Sequence, residues 1–177
     1  MANKRILVAG IGNIFLGDDA FGCEVVKRLL QRELPPETSV VDFGIRGFDL
    51  AYALLEEYEL SILVDAMPRG AAPGTLYVLE IDPLHVEEVE TSGPSFDMHA
   101  VDPMRVLALV KSMVGTPNRI LIVGCEPSHV SEQEITGLSE PVAAMLDKAV
   151  NLVESVVAKT INGEVVSNER SLAVTRF

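Results

Sequence analysis

Short aliphatic runs alternate with segments of helical period along nearly the whole chain, and this alternation constrains the fold most. The runs are residues 5–10 (RILVAG), 38–43 (TSVVDF), 60–66 (LSILVDA) and 119–124 (RILIVG). Aliphatic stretches of this length without polar alternation are the pattern of strands buried on both faces. Between them, 20–32 places Phe21, Val25, Val26, Leu29 and Leu30 at helical spacing, and 48–58 does so with Leu50, Ala51, Leu54 and Leu55. Pro35-Pro36 stops the first of these helices, because proline lacks the N–H and clashes with the preceding turn. Asp102-Pro103 reads as an N-cap followed by proline at the first helical position, opening a helix through 113. Ser139-Glu140-Pro141 opens the last helix, whose Val142, Leu146, Ala149, Val150, Val153 and Val157 form one apolar face ending at Asn162-Gly163. Residues 75–81 alternate less cleanly and suit an edge or antiparallel strand, and 87–94 is acidic and turn-rich, suiting an exposed loop.

Strand–helix alternation without a repeat or linker predicts an α/β fold, helices on a mainly parallel central sheet. The expected organisation is a single domain over 1–163, with 164–177 a mobile tail that lacks a strong period. In such sheets ligands bind beyond the carboxyl ends of the strands, where the Gly10 loop and Asp65 both fall.

Charge and cysteine content narrow the function. Fourteen Lys and Arg face 26 Asp and Glu, a net charge of -12 that disfavours nucleic acid and anionic membrane as partners. The two cysteines, Cys23 and Cys125, form no CxxC and suit buried apolar positions. No apolar run approaches the ~20 residues of a membrane span, so a cytoplasmic location is expected.

The stretch Gly10-Ile-Gly12-Asn13-Ile-Phe-Leu-Gly17-Asp18-Asp19-Ala-Phe-Gly22 carries the most chemistry. A strand, a GxG and a helix suggest dinucleotide binding, but Phe15 stands where the fingerprint needs its third glycine. Gly12 and Gly17 also satisfy the GxxxxG of a phosphate loop, yet Asp18 and Asp19 follow where Lys and Ser/Thr are required. Two carboxylates repel a nucleotide phosphate, so no nucleotide is expected. They suit a cation or acid–base hydrolysis instead. An acid at a helix start also caps it and complements its dipole, which accounts for one of the pair better than for both.

Of the three histidines, His85 lies in a charged loop and His129 follows a strand with no supporting pattern. His99, in Phe96-Asp97-Met98-His99-Ala100, precedes the helix that Asp102 caps. Taken alone it suits a packed histidine. With Asp19 and Asp65 it makes an oxygen, oxygen, nitrogen set suited to a borderline divalent ion such as nickel or zinc, with positions left open. Asp65 alone would equally serve to cap the turn at 67–70.

GIGNIFLGDDAFG resembles the N-terminal motif of the nickel–iron hydrogenase maturation endopeptidases. The resemblance continues through DFGIRGFDL, LSILVDA, SFDMHAVDP, ILIVGCEP and the GLS before the last helix, in the family's order over most of the chain. One departure is Gly44-Ile45-Arg46-Gly47, where the family often has GGT, a small residue and glycine. Arg46 there is either an exposed turn residue or a contact for an acidic group of the partner.

The resemblance implies a three-layer α/β/α sandwich and an endopeptidase that removes the C-terminal extension of a hydrogenase large subunit precursor after nickel insertion. Asp19, Asp65 and His99 match the family's metal-contacting residues, and the resemblance implies that the substrate supplies the nickel. Cleavage would use a metal-polarised carbonyl, a metal-bound water or a carboxylate base, with Asp18 a candidate for the last. No GxSxG or HExxH is present, so no nucleophile is assigned. The alternative is a non-hydrolytic nickel-checking chaperone for the same subunit.

Overall fold

The computed structural model describes residues 5–81, 102–113, 119–128 and 134–164. Five strands form one sheet: β1 (Ile6–Ile11), β2 (Thr38–Gly44), β3 (Leu60–Ala66), β4 (Leu76–Ile81) and β5 (Arg119–Cys125). Their order is β2-β1-β3-β5-β4. The first four are parallel, and β4 closes one edge antiparallel to β5, with Leu76 opposite Cys125 and Ile81 opposite Ile120.

Helices cover both faces, which is why the central strands are aliphatic throughout. On one face, Ile6, Val8, Leu60, Ile62, Val64, Leu121 and Val123 pack against α1 (Phe21–Leu29), α4 (Glu140–Ala143) and α5 (Leu146–Ile161). On the other, Leu7, Ala9, Ile11, Leu63, Ile120 and Ile122 pack against α2 (Gly47–Leu54) and α3 (Pro103–Met113). Every residue of β1 is buried. The three-layer α/β/α expectation holds.

Three helix boundaries differ from the sequence reading. The first helix ends at Leu29, and Leu30, expected on the apolar face, is 61% exposed. Leu29 already completes the stripe that touches the sheet, and Leu30 turns away from it. The second helix stops at Leu54 rather than 58, because the chain turns through Leu55 and Glu56 to bury Tyr58 against the α2/α3 face. The last helix is two, broken at Ala144 and Met145, where the Met145 N–H donates to Val142 O three residues back. The Asp102 cap is present: its Oδ1 accepts from the Met104 N–H at 2.8 Å. The 87–94 loop, most of the tail, and His85, His99 and His129 lie outside the described residues.

Gly22 lets α1 sit directly on the sheet. A Cβ there would stand 2.1 Å from the Val64 carbonyl oxygen and 2.3 Å from that of Ile11. This is the helix–strand close approach served by the third glycine of a dinucleotide fingerprint, supplied here by a later residue.

Candidate active site

The loop after β1 turns back on itself before α1. Gly12 has φ 134°, and a Cβ on it would overlap the Asp19 carbonyl at 1.7 Å, so only glycine fits. A 3-10 turn, Gly17–Ala20, follows and carries both acids. The loop amides are used within the protein. The Gly12 N–H donates to Gly44 O, Leu16 to Asn13 O, Gly17 to Ile135 O, Phe15 to Asn13 Oδ1 and Asn13 to Asp19 Oδ2. A phosphate loop keeps such amides open for its ligand.

Asp18 and Asp19 diverge. Neither caps its own turn or α1. Asp18 is buried and accepts three hydrogen bonds from the far side of the sheet edge: Ser128 N at 2.8 Å, Ser139 N at 2.7 Å and Ser139 Oγ at 2.9 Å. Asp19 is half-buried and accepts from the Asn13 N–H at 2.7 Å. Burial raises the proton affinity of Asp19, and the Asn13 bond only partly offsets it.

Asp65 is next to last in β3, on the α2/α3 face with Ser61 and Leu63, and is 5% exposed. Burial holds its pKa well above the usual carboxylate range, and the charges of Asp19 and Asp102 push the same way against a bond from the Ala66 N–H. Cys23, on the first turn of α1, lies within the field of Asp42, Asp19 and Asp65. Burial first, then those acids, push its thiol up to about 12. Asp19, Asp42, Asp65 and Asp102 therefore gather at one end of the sheet, and among the described residues no Lys or Arg pairs with Asp19 or Asp65. Buried acids gathered without basic partners make this end of the sheet the candidate site. Among the described residues no three His, Cys, Asp or Glu are placed to hold a metal ion by themselves.

The turn after β3 is capped by a residue the sequence reading missed. Glu126, directly after β5, accepts from the Arg69 N–H at 2.9 and 3.0 Å and from the Gly70 N–H at 3.0 Å, and from the Tyr77 hydroxyl. Burial opposes its charge, but the Tyr77 hydroxyl and the N–H groups of Arg69, Gly70 and Ala71 outweigh it, so its pKa is lowered. The capping role considered for Asp65 belongs to Glu126. The available signal was position, since Glu126 follows a buried strand at the same sheet end as Asp65. Arg46 folds over its own loop: Nε donates to Phe43 O at 3.2 Å, Nη2 to Asp42 O, and Nη1 meets Asp49 at 3.4 Å.

Among the described residues no helix is long and apolar enough to cross a membrane. A family model described as "Hydrogenase maturation protease" matches residues 23–156. A Methanocaldococcus jannaschii protein named as a hydrogenase maturation protease is 34% identical over 164 residues, spanning 90% of this chain and all of that protein (100%). The hydrogenase-maturating endopeptidase HybD of Escherichia coli superposes with a TM-score of 0.70 at 28% identity, covering 88% of this chain and 93% of HybD. A hydrogenase 2 maturation peptidase from a Thaumarchaeota archaeon gives 0.66 at 32% identity, covering 88% and 99%. The sheet that presents the glycine loop and the buried acids has the fold of solved hydrogenase maturation endopeptidases, and the chain belongs to the hydrogenase maturation protease family.

Proposed function

We propose that this endopeptidase removes the C-terminal extension of a nickel–iron hydrogenase large subunit precursor once nickel has been inserted. Asp19, Asp65 and His99 recognise the nickel that the precursor carries. The observation that carries the reading is the Asp19–Asp65 pair. Both carboxylates are drawn out of water, both have raised proton affinity, and neither has a basic partner among the described residues. Two ionised carboxylates so placed are costly alone and become favourable when a divalent cation arrives. A cation held by the substrate's own thiolates meets that need without a permanent metal site in the protease.

Nickel is thus part of the substrate, and its charge is what the pair recognises. The protein's own groups do the rest. Asp65 is fixed by β3, Asp19 by the 3-10 turn and the Asn13 N–H, and His99 supplies the nitrogen donor in the sequence reading. Docking at a fixed pair holds the scissile segment in register and turns cleavage into a positioned reaction. A carboxylate freed of its proton by the cation is then available as a general base toward water. Asp18 is the weaker candidate for that role, because three hydrogen bonds already tie its carboxylate to Ser128 and Ser139.

The test is incubation of purified precursor, nickel-loaded and nickel-free, with the protease, followed by mass analysis. Loss of the C-terminal peptide from the nickel-loaded form alone is expected. Equal cleavage of both forms overturns nickel recognition, and full activity of His99→Ala removes that residue from it. An intact precursor in both cases would favour the chaperone alternative, which the kinship with endopeptidases already disfavours.

A further inference from the structure

We propose that Asp18 is a positioning residue: it locks the 3-10 turn onto the segment around Ser128 and Ser139 and thereby sets where the Asp19 carboxylate points. The kinetic part of this proposal rests on the function proposed above, and the spectroscopic part does not.

The turn is four residues long, and no side chain caps it from within. One turn of 3-10 helix has little stability of its own, since nucleation fixes several dihedrals for very few hydrogen bonds. What holds this one comes from the other end of the chain. At its start the Gly17 N–H donates to Ile135 O at 2.7 Å, and the Ile135 N–H returns a bond to Phe15 O at 2.9 Å. At its second residue Asp18 Oδ1 takes the Ser139 N–H, while Oδ2 takes the Ser128 N–H and the Ser139 hydroxyl. The Ser128 and Ser139 hydroxyls also meet at 2.9 Å, which ties the two donors to each other. Hydrogen bonds to a buried carboxylate are about twice as strong as neutral ones. With both oxygens engaged on different segments, the carboxylate cannot rotate without losing a bond.

Consecutive residues of a 3-10 turn are about 120° apart around its axis. Asp18 and Asp19 therefore project in different directions from one rigid unit, Asp18 toward the serines and Asp19 toward Asn13 and Asp65. A rotation of the turn that releases Asp18 swings Asp19 away from the Asn13 N–H, its one hydrogen-bond donor among the described residues. Loss of the Asp18 contacts thus reaches the substrate through Asp19, with no contact of its own.

Asp18→Asn tests this. Either orientation of the amide turns an N–H toward one of the two backbone donors, so the lock is broken at nearly constant shape. Ser139→Ala is the milder variant, removing only the hydroxyl donor while its N–H remains. Two quantities are read: kcat and KM on nickel-loaded precursor, and the amide proton shift and exchange rate of Asn13, whose N–H reports the Asp19 carboxylate directly. Expected for Asp18→Asn is a fall in kcat of about tenfold or more with KM within about twofold. The Asn13 resonance should move toward its position in Asp19→Asn, with faster exchange. Ser139→Ala should move both readouts the same way by less. Glu126→Gln, which loosens a different turn, should leave the Asn13 resonance in place.

Folded Asp18→Asn with the wild-type Asn13 resonance and kcat would overturn the proposal and leave Asp18 a purely structural tie. If Asp18→Asn does not fold, an unchanged Asn13 resonance in Ser139→Ala would overturn it as well. If the wild-type protein cleaves no precursor, the functional reading fails, and the Asn13 readout still decides the positioning role.

Discussion

Asp18 and Glu126 are as buried as Asp65, at 4%, 5% and 5% exposure, yet their surroundings are opposite. Asp18 accepts three hydrogen bonds from two serines, and Glu126 accepts from two backbone amides and a phenol. Asp65 has the Ala66 N–H and two neighbouring negative charges instead. Burial therefore does not decide what a carboxylate does at this sheet edge; the supply of donors does. Where donors converge, the charge is stabilised and the acid becomes a structural tie between segments distant in sequence. Where they are lacking, the charge is costly and is relieved by a proton or a cation. One kind of carboxylate holds the loops of the protein, and the other is the kind that the proposed function assigns to the substrate.

The widest separation between the two kinds should appear when each loses its charge. On the proposed function, Asp65→Asn or Asp19→Asn is expected to lower cleavage of nickel-loaded precursor by about a hundredfold, the upper end of what loss of a group supporting a metal site costs. The melting temperature should not fall, because a neutral amide ends a repulsion. A variant with normal cleavage, or one that melts well below the wild type, would break the distinction.

Glu126→Gln should behave in the reverse way. With its oxygen in the Oε1 position the amide still accepts from the Arg69 and Gly70 N–H groups and its NH2 can donate to the Tyr77 oxygen, so the variant loses the charge on these bonds rather than the bonds. A hydrogen bond to a charged group contributes about 1.5–3 kcal/mol against about 1 for a neutral one, so the loss is on the order of 1 kcal/mol per bond. For a chain of this size that is a fall of several degrees in melting temperature, roughly 2–4 °C per kcal/mol. Calorimetry checks it. Cleavage at temperatures well below the melt should change far less than in Asp65→Asn, since Glu126 touches the turn after β3 and not Asp65 itself.

The same contrast fixes the sign of two pH dependences. Asp65 and Asp19 hold protons in the folded state at pH values where the unfolded chain, at its ordinary 3.8, has lost them. Their contribution to stability is therefore lost as pH rises from 3.8 through their raised folded values. Glu126 is the opposite case, since its folded pKa lies below the ordinary 4.5. Its contribution is present above 4.5 and is lost as pH falls through the lowered value. Urea midpoints measured across the acidic to neutral range should show Asp65→Asn flattening the decline toward neutral pH. Glu126→Gln should flatten the decline at the acid end. An unchanged profile in either variant would mean that the group titrates as it does in the unfolded chain.

The sequence shows one kind of carboxylate better than the other, for a physical reason. The central strands are legible because helices cover both sides, so β1 and β3 carry uninterrupted aliphatic runs. Asp65 stands out for the same reason, as a charge where such a run ends, and Asp19 stands out because an acid occupies the place where a phosphate loop needs Ser or Thr. The partnerships of Asp18 with Ser139 and of Glu126 with Arg69 are not legible, being 121 and 57 residues apart and using backbone N–H groups that every residue possesses. The hydroxyl of Ser139 gives no more warning, since a serine before Glu140-Pro141 reads as an ordinary cap. Helix ends are blurred by a similar indifference. Leu30 and Leu55 have the composition of a buried stripe, and only the sheet decides which leucine comes last.

The smallest effect is expected at the cysteines, one of which sits beside each kind of carboxylate. The Cys23 thiol donates to Gly12 O at 3.4 Å and lies in the field of Asp42, Asp19 and Asp65; Cys125 lies in that of Asp18 and Glu126. Burial comes first among the causes and the acids second, and both thiols are pushed up to about 12. At neutral pH a thiol so placed is ionised in only about one molecule in 10⁵, and the thiolate is the nucleophilic form. Neither cysteine is therefore expected to serve as the nucleophile for peptide cleavage, despite Cys23 lying so near Asp19 and Asp65. Cys23→Ala and Cys125→Ala should each cleave nickel-loaded precursor within about twofold of the wild type, with destabilisation on the order of 1 kcal/mol from the lost packing. A Cys23→Ala protein that folds normally yet leaves the precursor uncut would place sulfur chemistry among the unsatisfied acids. The comparison would then need a third kind of group at the sheet edge.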